Sequence, residues 1–573
     1  MKTKKEKIAF GFIVAVFVWI QLVCRTLELK GNMEWNIRNI LVCLGISLVC
    51  VFLFFLALYF LNKIKVKLCG LQYKSNGTAE YKVSISNKVF FFISWGFIFL
   101  CWIPVFLAYY PGILAYDSYV QIGQIMEGAY NNHHPLIHTF MIAAFMKIGE
   151  VVGNMNLGVA MYTIIQMLCL SATMSAGIYL LAKKNVKRIW LWLIMVYCGL
   201  CPANSYMAIS MTKDVYFTVF VLLFGYALLH LLDEKKHHIL WDIIFVSVAT
   251  LMMLFRNNGR YAVLVFAGLS VVLFVADSLV LRKKKEMSNK EELKKKRKKI
   301  LLILGEALVS LLLSSVLLSG FDRVVSSQAG DKREMLSIPI QQVARCMVYH
   351  GGLELVESDD NTISESDKNI INEFILYNGY TQYDPIISDP VKRCTNTSVI
   401  LRKPKEFIRM YVGLALAYPE EYINAFFAVN GGYLSVRDES HSQVNLSEDV
   451  KGLGYLQTRW EESVINQAGI YKDSKMPALY EALDKFAGGN GYLDIPVVRN
   501  LIAPGLYIWC YIFMGVWAFS QREHKYQLPF FFVVGYYLTL LLGPTVQLRY
   551  LYPVMLLLPF ICLYVWYSKK TEL

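Results

Sequence analysis

The stretch His134–Gly153, HPLIHTFMIAAFMKIGEVVG, decides how this chain folds. It is apolar enough to be taken for a membrane span. It also carries His134, His138, Lys147 and Glu150, and a charged group near a bilayer centre costs about 2.5–3.5 kcal/mol on insertion scales. If the stretch crossed, the basic runs at 183–188 (KKNVKR) and 294–299 (KKKRKK) would face outward, against the rule that Lys and Arg collect on the cytoplasmic side. We therefore read it as an interfacial helix on the outer face.

Working outward, runs of about 18 apolar residues, long enough to cross a bilayer core, lie near 8–24, 39–61, 89–108, 157–182, 214–232, 259–281, 300–319, 501–519, 527–543 and 549–567. Two shorter runs, 189–203 and 239–255, complete twelve crossings with both termini inside. Each basic burst, Lys2–Lys7, Lys63–Lys88, Lys183–Arg188, Arg282–Lys299 and Lys569–Lys570, then falls on the cytoplasmic side. The composition agrees: 56% of the 573 residues are hydrophobic and only 17% charged, well below the ~25% charged of soluble domains. A cytosolic enzyme, a disordered scaffold and a nucleic-acid partner are excluded. The formal charge of +14 reflects loop topology, with membrane lipids as the surrounding partner.

The expected fold class is an all-α polytopic membrane protein with four parts. Residues 1–88 form two N-terminal helices and a cytoplasmic loop, 89–319 a transmembrane core with the outer loop 109–156, 320–499 an extracytoplasmic, mostly helical domain, and 500–573 the C-terminal helices. The outer domain carries 18 Lys or Arg against 25 Asp or Glu, a net charge near −7. Within it, 338–349 reads as an amphipathic helix at the membrane surface, 405–418 and 420–429 as helices split at Pro419, and 430–500 as long loops. Ten of twelve cysteines lie in or beside spans; Cys346 and Cys394 are the two in the outer domain, where a disulfide is an option.

Candidate chemistry gathers in the first outer loop, Tyr109–Thr139, YYPGILAYDSYVQIGQIMEGAYNNHHPLIHT. Asp117 stands at the lipid–water boundary just above a span, where partial desolvation would raise its pKa towards that of a general base. The plainer alternative is that it caps the helix 118–128. Gln121, one turn on, and His133 and His134, ahead of Pro135, are candidates for substrate hydrogen bonding; with His138 the histidines could instead bind a metal or simply pack.

The segments YPGILAYDS, HHPLIHT and QLRYLYP (547–553), in this order and on one side of the membrane, resemble the GT-C glycosyltransferases of the protein mannosyltransferase and aminoarabinose transferase type. The resemblance covers about 89–319 and 501–567. It implies a GT-C-like core in which Asp117 is the general base of an inverting transfer, with a polyprenyl-phosphate-linked sugar as donor and an extracytoplasmic glycan, polymer or lipid as acceptor. This chain has Asp-Ser where many relatives have paired acids, so no metal and no cofactor is expected. A leaving phosphate needs fixed positive charge. Lys213, Arg256 with Asn257 beside it, and Arg549 with Tyr550 lie at outer span ends, and Arg345 of the outer domain could join them; each could instead be a snorkelling anchor. The expected site is the bacterial plasma membrane. The alternatives are a transporter or flippase, or a surface-polymer polymerase or ligase using the same carriers.

Overall fold

The computed structural model describes residues 4–72, 85–114, 116–233, 238–283, 290–325, 332–356, 360–436, 464–520 and 524–570. Parts of the basic segments 63–88 and 282–299, and residues 437–463 of the stretch read as loops, lie outside the described residues.

The chain is an all-α polytopic membrane protein. α1 (Lys4–Lys30) and α2 (Ile37–Gln72) form a hairpin. α3 (Asn87–Ala108) leads through strand β1 (Ile113–Leu114) to α4 (Tyr116–Glu127) and α5 (Leu136–Val152). Next come α6 (Met155–Lys183), α7 (Arg188–Leu200), α8 (Pro202–Ile209), strand β2 (Ser210–Met211), α9 (Lys213–Asp233), α10 (Ile239–Phe255), α11 (Asn257–Lys283) and α12 (Lys290–Val324). The next unit, called the outer unit after the side expected for it, holds α13 (Ser337–His350), α14 (Glu365–Phe374), α15 (Asp389–Arg393), α16 (Thr397–Arg402), α17 (Pro404–Ala417), α18 (Pro419–Val429) and α19 (Gly431–Leu434). α20 (Pro477–Ala487), α21 (Pro496–Ile502), α22 (Pro504–Ser520), α23 (His524–Leu540) and α24 (Leu548–Lys570) complete the chain.

Among the described residues eight helices are long and apolar enough to cross a membrane, up to ten when the bent pairs α7–α8 and α21–α22 each count as one span. α10 and most of α23 are apolar but shorter. α7–α8 bends by 53° at Cys201–Pro202, where proline ends one helix and starts the next. α9 is apolar on every face and buried on nearly all of them, so it is the central post, packed by α6, α10 and α24.

α5 turns back without crossing. Between Asp117 and Lys213 the chain runs through α5, α6 and the α7–α8 pair. Three crossings would put the two residues on opposite faces, yet Lys213 Nζ lies 2.7 Å from Asp117 Oδ2. The same parity holds at the other end, where Arg188 donates to Ile85 O and to Asn87 Oδ1, both at 2.8 Å. α5 packs tightly on α6: a Cβ at Gly158 would come 2.4 Å from Phe145 O. Its exposed Lys147–Glu150 pair, 2.8 Å, stays at the surface.

The two ends of the bundle differ. α9 is 21 residues, about 30 Å, long. At its far end Asp233 pairs with Lys184, Tyr564 donates to Asp233, and Lys299 Nζ donates to Leu232 O at 2.8 Å, so the described basic side chains Lys184 and Lys299 share that end.

The outer region is not one unit. Residues 340–422 build a separate core around Ile340, Val343, Met347, Ile371 and Phe374. Ile465, Ile470, Tyr492 and Ile502 pack into the transmembrane core instead, and the described part of 430–500, read as long loops, contains α19, α20 and most of α21. α13, expected at the membrane surface, is the buried centre of the outer unit, because Val343, Ala344, Arg345 and Cys346 are all covered. Cys346 and Cys394 are free thiols.

Candidate functional site

The site starts from two short backbone runs laid side by side on α6. β1 and β2 pair in parallel, Ile113 with Ser210 and Leu114 with Met211. Thr163 Oγ1 donates to Pro111 O at 3.1 Å, and Gln166 Nε2 donates to Ala208 O and Ser210 O at 2.9 and 2.7 Å, so one face of α6 holds both strands. Gly112 makes this fit possible: its φ is +141°, and a Cβ there would lie 2.4 Å from Thr163 Oγ1 and 3.3 Å from Ile209 O. Asp117 follows β1 by three residues and Lys213 follows β2 by two, so the pairing brings them to one place.

Asp117 lies in the first turn of α4, and its carboxylate takes Lys213 at 2.7 Å and Arg549 Nη1 at 3.9 Å, both on Oδ2. Burial pushes the Asp117 carboxyl up, but Lys213, Arg549 and the nearby His134 outweigh it and hold the group well below the ordinary carboxylate range. The expected rise towards a base-like pKa is thus reversed, because desolvation at this boundary comes with two cations. The carboxylate is an ion-pair partner before it is a cap.

Lys213 Nζ also donates to His134 Nδ1 at 3.2 Å. Burial first, then the Lys213 charge, lowers His134 to about 3, so the ring is neutral and its Nδ1 accepts. As the first residue of α9, Lys213 opposes the helix dipole. Asp117 compensates for that cost.

Arg256, at the α10–α11 joint, pairs with the fully buried Asp214 and lies 4.4 Å from the Tyr550 ring centroid. Asp214 serves Arg256 although Lys213 is its neighbour in the chain. Helix geometry separates them: Thr212 caps α9 by accepting from Asp214 N at 2.9 Å, which turns the Asp214 carboxylate towards α10. Arg549, at the start of α24, donates to Gln547 Oε1 at 2.7 Å and lies 5.1 Å from the same Tyr550 ring, so both guanidinium groups lie close to that ring. The outer unit braces the loop before Arg549, since Ser388 N donates to Pro544 O at 2.9 Å and Ile387 bridges to Thr545.

Behind Asp117 runs a buried polar chain that reading the sequence did not find. Gln121 Nε2 donates to Thr139 Oγ1 at 2.7 Å, His138 bonds Gln121 Oε1 at 2.8 Å and Tyr162 OH at 2.7 Å, and Tyr162 reaches Gln166. Burial lowers His138 to about 3, so the ring is neutral: its Nδ1–H goes to Gln121 Oε1, Nε2 is left as an acceptor, and the single Tyr162 hydroxyl proton serves His138 Nε2 and Gln166 Oε1 in turn. Gln121 is therefore a strut beneath Asp117, tying α4 to α5 and α6. The polar residues at 121, 138, 162 and 166 on otherwise apolar faces were the available signal.

The structure thus gathers Asp117, His134, Lys213, Arg256, Arg549 and Tyr550 from five separate segments, with Gln121 in support. His133 is exposed, its ring edge-on to His134 at 4.8 Å, and Asn257 is exposed at the start of α11. Arg345 does not join them. Its guanidinium is saturated inside the outer unit and against the α1–α2 turn, by Glu421 at 2.6 Å, Tyr383 OH at 3.1 Å, Gly31 O at 3.0 Å and Asn32 Oδ1 at 3.2 Å. Among the described residues no group of three or more His, Cys, Asp or Glu side chains is placed to hold a metal ion. His138 has both ring nitrogens engaged elsewhere, which removes it from the histidine trio considered as ligands.

No curated protein and no solved structure matches the chain. Residues 125–573 match the family of unknown function DUF6020, a stretch that begins within α4 past Asp117 and includes His134, Lys213, Arg256 and Arg549. That match covers well over half of the chain, which therefore belongs to the DUF6020 family.

Proposed function

We propose that the protein is a membrane glycosyltransferase with a GT-C-like core. It would move a sugar from a polyprenyl-phosphate donor to a glycan, polymer or lipid acceptor on the outer face of a bacterial plasma membrane, with twelve crossings and both termini inside. The observation that carries this reading is the Asp117 cluster: one carboxylate between Lys213 and Arg549, with the Arg256–Asp214 pair beside it at Tyr550, meeting at one end of the bundle where a lipid-linked headgroup would lie.

The depressed pKa gives the reaction an order. Without donor, Lys213 and Arg549 neutralise Asp117 and leave it a weak base. A donor phosphate competes for the same two cations; as they turn to its oxygens, Asp117 loses its counter-charges and becomes more basic. Asp117 then takes the acceptor hydroxyl proton, the acceptor oxygen bonds to the anomeric carbon, and the bond to phosphate breaks with its electron pair leaving on the lipid phosphate. One base suffices for this single displacement. Arg256, held by Asp214 and Tyr550, is the stiff member of the cation set, and neutral His134 steadies Lys213.

Glu306, buried in α12 beside Asp242 of α10, is the observation that favours a transporter or flippase, since ionisable groups inside a membrane are functional candidates by default. The two readings part in a deletion strain complemented with wild type, Asp117→Asn or Glu306→Gln. A transferase requires that deletion and Asp117→Asn accumulate lipid-linked sugar and lose it from the surface product, while Glu306→Gln restores both. Unchanged lipid-linked sugars and surface product in the deletion strain would contradict the assignment.

A further inference from the structure

α17 has two apolar faces and only one is covered. Phe407, Met410 and Leu414 enter the outer-unit core. On the opposite side Ile408, Val412 and Leu416, spaced by four, are 58%, 46% and 80% exposed, with the exposed Lys405 and Arg409 on the same face. Scattered exposed apolar residues are ordinary, but an aligned stripe flanked by cations is the pattern of a helix lying in a membrane interface.

The position of α17 supplies the occupant. α18 starts directly after it and runs down the side of α1. Asn424 Nδ2 donates to Met33 O at 3.1 Å, Phe427 packs at 6.2 and 6.3 Å from Trp19 and Trp35, and Gln21 Nε2 donates to Leu434 O at 3.0 Å beyond the end of α18. The apolar span of α1 runs Glu6–Lys30, so Gln21 is nine residues, about 14 Å, in from its outer end. α18 and α19 therefore descend beside a membrane span from the level of the α1–α2 turn, which sets the start of α18 at the boundary, above Trp35, a residue of the kind that marks it. α17 is joined to this pair at Tyr418, and Tyr411 packs on Tyr422 at 5.0 Å.

We infer that α17 lies on the lipid surface. Its Ile408–Val412–Leu416 stripe sits at the acyl boundary of the adjoining leaflet, and Lys405 and Arg409 meet anionic headgroup phosphates. This rests on the polytopic membrane fold and not on the proposed activity. It replaces α13 with α17 as the surface-lying helix of the outer unit, and it seats on lipid the unit that braces the loop before Arg549.

The test uses full-length protein reconstituted in vesicles of phosphatidylcholine with or without phosphatidylglycerol. Val412→Cys and Leu416→Cys would carry an environment-sensitive NBD label, with Glu365→Cys, on the exposed side of α14, as the water-facing control. The expected result is blue-shifted emission at 412 and 416, quenched more by spin-labelled lipid than by aqueous iodide, with the order reversed at 365. The lipid quenching should strengthen with phosphatidylglycerol and weaken again when Lys405→Ala and Arg409→Ala are added. Water-like emission quenched by iodide would overturn the inference by leaving the stripe in solvent. Protection from both quenchers would overturn it too, by placing a protein surface or a second copy on α17.

Discussion

Lys213 and Asp214 are adjacent in sequence and serve different carboxylate–cation pairs, and much of the site's behaviour follows from that division. Arg256→Ala would strand Asp214, which is fully buried, so stability should fall by about 3–5 kcal/mol, the cost of breaking a buried pair, along with activity. Arg549→Ala leaves Asp117 with Lys213, so its loss should fall on turnover, by about 2–4 kcal/mol in transition-state stabilisation with little change in Tm. Arg549→Lys should restore little where two donors are needed. Steady-state kinetics beside thermal melts separate the two; equal melting losses in both variants would show that Arg549 is also structural. The histidines add a pH signature. His134 and His138, both lowered to about 3, stay neutral in the fold while the unfolded chain takes up protons below about 6.5. Stability should therefore decline as pH falls from about 6.5 towards 3, and His138→Gln should flatten that decline in pH-dependent melts. Asp117, also lowered, adds its own loss once pH falls below about 4, where the unfolded carboxyl takes up its proton. Sequence position was enough to nominate Lys213, Arg256 and Arg549, because three basic residues at span ends opposite the basic bursts have few other reasons to be there. It could not assign their partners, since ion pairs between helices depend on rotation about each axis. Arg345 was misplaced for that reason: its helix period looked amphipathic, but both of its faces are buried.

At the scale of elements, the two-residue strands do more than their length suggests. Only Gly can follow Pro111 with φ +141° at van der Waals distance from α6, so Gly112→Ala should strain the loop by about 1–3 kcal/mol and displace Asp117 from Lys213. Activity should fall more steeply than Tm, because a shift of about 1 Å can cost a hundredfold in rate. An Ala variant with wild-type turnover would mean that β1 does not set the position of Asp117. Nothing in the sequence marks such a short pairing, which is held by Thr163 and Gln166 of α6 rather than by strand propensity. α5 was legible, because Lys147 and Glu150 made a crossing costly. α13 was read as surface-lying and is enclosed: a helical period alone does not say which side of a helix is covered, and only packing decides it.

Across the whole molecule, the parity set by α5 places Glu150, Cys394 and Glu365 on one face and Lys187 on the other. An impermeant thiol reagent on sealed cells should label Glu150→Cys and Glu365→Cys, and should reach Lys187→Cys only after permeabilisation; native Cys346 is buried and should stay silent in the folded protein. Labelling of position 187 in sealed cells would invert the topology. The apolar runs were readable because bilayer thickness imposes their length, whereas the division of the outer region was not, since 464–502 joins the transmembrane core through contacts remote in sequence. The site depends on that assembly, with the outer unit bracing the Arg549 loop and α6 aligning the Asp117 and Lys213 loops. The most direct test is release of polyprenyl phosphate from a lipid-linked sugar donor by reconstituted protein, comparing wild type with Asp117→Asn. The substitution keeps shape and the capacity to cap but removes the proton acceptor. The account predicts donor turnover by wild type and a fall of about a hundredfold or more in the variant, measured at a temperature where both proteins are folded, because the variant also takes the counter-charge from Lys213 and should melt lower. Release by Asp117→Asn at the wild-type rate would contradict it.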